Sequence, residues 1–439
     1  MSHRSHPERA RGAVFTYVGF ELTSVGLLTC AYDLDGERFE ERIDCGASDG
    51  DFDSEAAQAL ARLVFLLAAV SYYKTGAPAR ISVPDGVTDR ERKFLRDLYL
   101  HGLAEFAHTG GLDLSDLVIE GPARDVPTAQ ARTTEGRPLI PFGGGIDSIV
   151  VVEEVRADQP DIALFVANTS DVPFDPIERT AAVAGLPVVR ARRHLDPKVL
   201  ASRERGYFNG HVPVTGVLTA VALLVAATQG RDRVVMSNEH SASEPTQLVA
   251  NGVRVNHQWS KGFAFEESFR AVVADAVDGV TFYSALRPYS EVWVAQRFAA
   301  LSAYHHAFRS CNKAFFVDAD QRLAQWCGRC DKCCFIDLVL AAYLDRPALE
   351  AIFGGREPLA DASLEAEFRS LLGAPGRPKP LECVGDEGEC RRAVLLAAAR
   401  PDRQDTPLLA RLAAYVEESG LPVPSEAVLL DQRGPHFLP

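Results

Sequence analysis

The 439-residue sequence has no excess of basic residues: 46 Lys and Arg stand against 60 Asp and Glu, a formal net charge of −14. Phosphate backbones are bound by basic surfaces, so no nucleic-acid partner is expected. No apolar run reads as membrane length, and no membrane association is expected. The nearest candidate, Val214–Ala227, is too short and is stopped by Thr-Gln-Gly-Arg. The first eleven residues are charged and polar, which is unlike a signal peptide. Internal repeats are missing too. The nine cysteines are not spread as a disulfide framework, because four of them crowd into Cys327–Cys334. That usage suits reduced thiols or a metal, and with the plain N-terminus it points to the cytoplasm.

What remains is ordinary for a folded, water-exposed chain: 47% hydrophobic and 24% charged residues. The length allows two or three domains. Residues 1–12 read as a tail. Strand-like runs follow at Ala13–Phe20, Val25–Leu34 and Arg38–Ile43, with Asp35-Gly36 as a turn, then helical patterns at Ala56–Tyr73 and Asp89–Phe106. This predicts an α+β N-terminal domain over 13–125 that carries no chemistry of its own. From residue 136 strands alternate with helices. Strands are expected at Ile162–Asn168, Pro187–Arg190 and Arg233–Met236, with helices at Ile149–Val155, Ile177–Ala184 and Thr215–Thr228. The alternation predicts an α/β domain over 136–340 with a doubly wound parallel sheet. Helices are read at Phe265–Asp275, Tyr289–Phe308 and Cys334–Leu344. The region 341–439 reads as helical, at Glu389–Ala399 and Thr406–Glu418, with Gly354–Pro380 as broken loop. Arg190–Arg205 is a basic island in an acidic chain. It reads first as a solvated surface and second as an anion clamp.

The stretch Pro138–Ser148 organises the rest. Leu139, Ile140 and Phe142 make a short apolar run; Gly143, Gly144 and Gly145 follow; Asp147 and Ser148 open a helix. A strand, a glycine turn and a helix N-terminus make an anion site, since glycines let backbone N–H groups approach a phosphate. No Gly-Lys-Ser/Thr follows, so this is no Walker loop. The stretch resembles the Ser-Gly-Gly-x-Asp-Ser loop of the PP-loop ATP pyrophosphatases, with Phe142 where the first Ser usually stands. The resemblance implies ATP as co-substrate, cleaved between its α- and β-phosphates. Gly143–Gly145 and Ser148 would hold the pyrophosphate, Asp147 a magnesium ion, and Ala167, Asn168 and Thr169 the adenosine.

Trp326-Cys327-Gly-Arg-Cys330-Asp-Lys-Cys333-Cys334 is the second signature. Thiolates at this spacing converge on one ion, and Cys311 or Cys334 could complete four ligands. Structural zinc, free or catalytic thiols and an iron–sulfur cluster all fit the residues. The cluster is similar to that of the cyano-deazaguanine synthase among PP-loop enzymes, where it holds zinc. Two polar loops also stand out: Ser237–Glu244 after a buried strand, and Asn256–Lys261 before a helix.

The order of these blocks, with Arg287-Pro-Tyr-Ser-Glu291 between the last loop and the cysteines, resembles the UDP-N-acetylmuramoyl-L-alanyl-L-glutamate epimerase family over most of the chain. The resemblance implies that a terminal L-Glu becomes D-Glu while ATP becomes AMP and pyrophosphate. Proton carriers would then come from His240 and His257, with Glu239 and Glu244 as alternatives, or, without metal, from Cys327 or Cys334, while Lys261 and Arg287 would meet substrate carboxylates or the developing phosphate charge. Asn238, Glu244, Asn256, Arg287 and Glu291 would bind substrate. Other PP-loop ligases, and a nucleotide sensor that consumes nothing, are the rivals. Cys383 and Cys390 are given no role.

Overall fold

Alternating burial builds the first three strands, each with one face inward: β1 Val14–Leu22, β2 Leu27–Leu34 and β3 Glu37–Asp44. They form an antiparallel meander. Asp35 and Gly36 both take positive φ at its tight turn, as the Asp-Gly pair requires. The computed structural model describes residues 10–46, 50–169, 172–245, 247–248, 254–316 and 318–439. Its remaining strands are β4 Arg80–Ser82, β5 Val118–Glu120, β6 Ala129–Gln130, β7 Thr134–Pro141, β8 Ala163–Asn168, β9 Val188–His194 and β10 Arg231–Met236. The last four are β11 Gln247–Leu248, β12 Arg254–Val255, β13 Val277–Asp278 and β14 Thr281–Ser284.

Ten of these strands make one mixed sheet in the order β14-β10-β7-β8-β9-β3-β2-β1-β4-β5. From β14 to β9 neighbours run parallel, and β9 meets β3 antiparallel through Ile43 and Arg193. The N-terminal meander therefore extends the same sheet. The short β4 and β5 and the edge β14 have no sequence signal, because runs of three or four residues show no period.

Along β7, β8 and β10 successive side chains enter different cores. Leu139, Phe165 and Val234 pack with the helices Glu55–Ala68, Val214–Thr228 and Phe263–Ala276. Ile140, Leu164 and Val235 pack on the other face with Ile146–Asp158, Asp175–Ala184, Glu291–Ala299 and Asp331–Ala341. The sheet is thus buried on both sides, which is why its strands read as continuous apolar runs. Between β7 and β10 the order in which the chain lays down strands reverses. Such a switch opens a crevice at the strands' C-terminal ends.

Several expectations are corrected. Glu55–Tyr73 is long and apolar enough to span a bilayer, at 19 residues and a mean hydropathy of 1.4, but 89% of that window is buried inside the protein. Tyr289–Phe308 is not one helix: it ends at Ala299 and a short 3-10 turn follows at Ser302–Tyr304. Phe298 and Phe308 still meet, with ring centroids 4.6 Å apart, because the chain folds back. Gly354–Pro380 contains the helix Glu365–Leu371, held by buried Phe368 and Leu371. The basic island is neither free surface nor clamp at its centre. Arg193 is buried against Glu41 at 2.7 Å, while Arg190 pairs with Glu178 and Arg205 with Glu37.

Candidate active site

The glycine corner leaves β7 at the switch point. Phe142 donates its N–H to Phe165 O at 2.8 Å and buries its ring in the core, so only its backbone borders the loop. Gly144 has φ +70°, and a Cβ there would lie 2.7 Å from Thr180 Oγ1 and 3.0 Å from Pro176 O. The loop is therefore pressed onto the helix Asp175–Ala184 and only glycine fits. A Cβ on Gly143 would meet nothing within 4 Å, so that side is open. Gly145 caps the helix Ile146–Asp158, whose first-turn N–H groups have no intrahelical acceptors. The Ser148 hydroxyl donates to Gly145 O at 3.1 Å. At the end of neighbouring β8, Asn168 is buried with an unpartnered Oδ1; Ala167 is half-buried and Thr169 exposed.

Asp147 points a buried, unpartnered Oδ1 into the interior. Its carboxyl is pushed up to about 6 by burial and then by the charge of Glu239. Glu239, buried just beyond β10, and Glu291, at the start of its helix, share this environment. Burial, then Asp147 and Glu239, drive the Glu291 carboxyl well above the ordinary range, and its Oε2 is also without a partner. Lys332 and Lys261 supply the opposing charge felt by Asp147. Burial works against the Lys261 ammonium, but Cys383, Glu239 and Asp147 together keep it charged.

The remaining predicted residues divide. His257 Nδ1 lies 2.5 Å from Glu105 Oε2, and its ring stands 4.3 Å from that of His211. Burial opposes the His257 charge, yet bonds to Cys383 and Glu105 raise it to about 9. His211 is lowered to about 4 by burial and by His257. Arg287 is buried and spends its guanidinium on Glu266, Glu239 O and Lys261 O, so it holds the two loops together. Asn256 is likewise engaged, with Ala242 O and Gln258 N. Asn238 is buried behind Glu239 and its N–H bonds Ser284. Glu244 is exposed. His240 is half-buried, lowered by burial and by Arg433, and lies against Gly434.

Sequence reading missed Glu105, His211, Lys332 and Cys383. Lys332 lay inside the Cys330–Cys333 spacing and could have been flagged. Glu105 comes from the N-terminal region read as free of chemistry.

Cys311, Cys327, Cys330 and Cys333 bring their sulfurs within 4.8 Å of one another. Two of the separations are 3.7 Å and 3.4 Å. Four thiolates around one zinc ion at ~2.3 Å would stand about 3.8 Å apart, so the donor set fits that ion. Cys311 is a member despite its long sequence separation. Cys334 is buried in the core on the helix Asp331–Ala341 and is not.

Residues 6–286 match the MurL N-terminal domain model, and residues 307–426 the MurL C-terminal domain model. UDP-N-acetyl-alpha-D-muramoyl-L-alanyl-L-glutamate epimerase of Xanthomonas oryzae pv. oryzae is 37% identical over 398 residues, spanning 89% of this chain and 86% of that protein. The Salinispora tropica protein of the same name is 36% identical over 414 residues, covering 92% and 88%. The Micromonospora relative, also so named, is 37% identical over 382 residues, covering 86% and 83%. Identity at this level along nearly the whole length means that the chain belongs to this family of epimerases.

Proposed function

We propose that the chain inverts Cα of the terminal glutamate of UDP-N-acetylmuramoyl-L-alanyl-L-glutamate, in peptidoglycan precursor synthesis in the cytoplasm, after ATP adenylates the neighbouring carboxylate. The parallel strands with helices on both faces would form a doubly wound PP-loop unit. The observation that carries this reading is the glycine corner at the switch point, open at Gly143 and flanked by the orphaned Asp147 carboxylate.

The chemistry explains why adenylation would be used. Removing the α-hydrogen beside a free carboxylate creates a dianion. In the first step the glutamyl carboxylate attacks the α-phosphorus of ATP and pyrophosphate leaves. The backbone of Gly143–Gly145 and the helix N-terminus would hold the departing tail. Asp147 and Glu239 suit a magnesium ion, which would neutralise phosphate charge there and relieve their mutual repulsion. The acyl-adenylate carries no carboxylate charge, so its α-hydrogen is far more acidic. Its proton is removed, the electron pair enters the acyl carbonyl, a proton is added to the opposite face, and water releases AMP. Lys261 and Lys332, whose charges act on Asp147, would lie close enough to stabilise that enolate. The four-cysteine cluster would hold a structural zinc ion that ties Cys311 to the helix Asp331–Ala341 and so positions Lys332.

Incubation with ATP, magnesium and the muramoyl dipeptide tests the reading. Pyrophosphate should appear, with D-Glu recovered after hydrolysis. No pyrophosphate from any muramoyl peptide sinks it, and pyrophosphate with an amide product means a ligase instead.

A further inference from the structure

Cys383 lies outside every sequence motif and far along the chain from the loops it meets. It is half-buried just before the helix Glu387–Ala398. Lys261 Nζ approaches its sulfur at 3.3 Å. The His257 side chain bonds the same sulfur, and Lys332 Nζ donates to the Cys383 carbonyl oxygen. Glu105 grips the far nitrogen side of His257. Two cationic side chains and one imidazole, drawn from the Asn256–Lys261 loop and from the start of the helix Asp331–Ala341, thus converge on one thiol. A packing cysteine needs no such company: Cys390, seven residues on, is fully buried, and burial drives its thiol up. Burial would do the same to Cys383, but Lys261, His257 and Lys332 override it and bring the thiol down to about 7. Thiols next to Lys or His⁺ are the reactive ones.

Lys261 also links this thiol to the phosphate corner, because it feels Asp147 and Glu239 as well as Cys383. A group that neutralises an adenylate and a group that takes its proton belong side by side. We propose that Cys383 is the acid–base residue on one face of the glutamyl Cα, with Lys261 holding it as thiolate and the Glu105–His257 pair orienting it. This rests on the adenylation reading above. With one epimer bound, the Cys383 sulfur takes the Cα proton and becomes S–H. The C–H electron pair moves into the acyl carbonyl, and a proton drawn from solvent water is added opposite. With the other epimer bound, the S–H gives its proton to Cα, after solvent has received the proton from the far face. His257 and Lys261 become positioning residues.

The full-length enzyme in deuterated water with ATP, magnesium and each epimer of the muramoyl dipeptide separates the two claims. Wild type should gain deuterium at Cα from both epimers. Cys383→Ala and Cys383→Ser should lose that gain at least 100-fold from one epimer, counted per pyrophosphate released. Gain from both epimers within threefold of wild type overturns the assignment. Wild-type deuterium gain without pyrophosphate would sink adenylation, while the variant comparison, then counted per enzyme, still judges Cys383. Should the variants fail to fold, alkylation of wild type decides. Iodoacetamide at pH 7 should modify Cys383 faster than Cys390, be blocked by substrate with ATP, and abolish exchange of one epimer. A modified Cys383 that still exchanges both overturns the proposal.

Discussion

At the residue scale, the site crowds buried carboxyls together, Asp147 beside Glu239 and Glu291. Asp147 ionises at about 6 rather than at the ordinary carboxylate value. Its raised value means that the folded, ligand-free protein holds the proton more tightly than the unfolded chain. Its contribution to stability is then fully present below pH ~4 and is lost as pH rises through 6. Asp147→Asn should therefore raise the unfolding free energy of metal-free enzyme at pH 7–8, by up to roughly 3 kcal/mol, with no gain below pH ~4, as denaturant melts will show. The same change should lower pyrophosphate release at least ~100-fold. His257 works the other way. Its value near 9 means that its bonds to Cys383 and Glu105 stabilise fully below pH ~6.5 and fade as pH passes 9. Glu105→Gln should thus lower the midpoint near pH 6 and cost much less at pH 10, which thermal melts across pH will show.

At the scale of single elements, two turns carry the architecture. The Gly143–Gly145 corner must pass close to Thr180 with a left-handed residue at Gly144. Gly144→Ala adds both a clash and backbone strain of ~1–3 kcal/mol, so it should reduce stability by about that much and weaken ATP binding in a nucleotide titration. The cysteine turn is anchored by the helix Asp331–Ala341, which places Cys333 in the cluster and Lys332 at the carbonyl of Cys383. Purified protein should contain about one zinc ion per chain by elemental analysis. Cys330→Ser should lose the metal and lower the unfolding midpoint.

At the scale of the molecule, one sheet ties the meander to the parallel strands. Their junction is β3 against β9, where Glu41 and Arg193 are buried and paired at 2.7 Å. Removing one partner strands a buried charge, so Glu41→Ala should cost ~3–5 kcal/mol. Both halves should unfold in one transition by calorimetry, because the pair belongs to a sheet shared between them. The helix Ala104–Gly110 packs against β12, and so Glu105, from the N-terminal region, reaches His257, more than 150 residues later in the chain.

Local chemistry determined much of this. The Asp35-Gly36 turn, the apolar runs of β8 and β10, the glycine corner and the Cys-x-x-Cys-x-x-Cys spacing are written in short stretches. Each depends on φ preferences, side-chain period or ligand geometry that neighbouring residues alone set. The order of those blocks was enough to mark the family. Tertiary structure alone decided which distant groups share an electrostatic environment. Arg193 reads as a surface charge until Glu41 is seen across the strand boundary, and Arg287 reads as a ligand until Glu266 takes it. Cys383 is an ordinary thiol in sequence. Lys261 and His257 change its chemistry, and proximity across 122 and 126 positions is a property of the folded chain, since Coulomb and hydrogen-bond forces act through space and leave no local period to read.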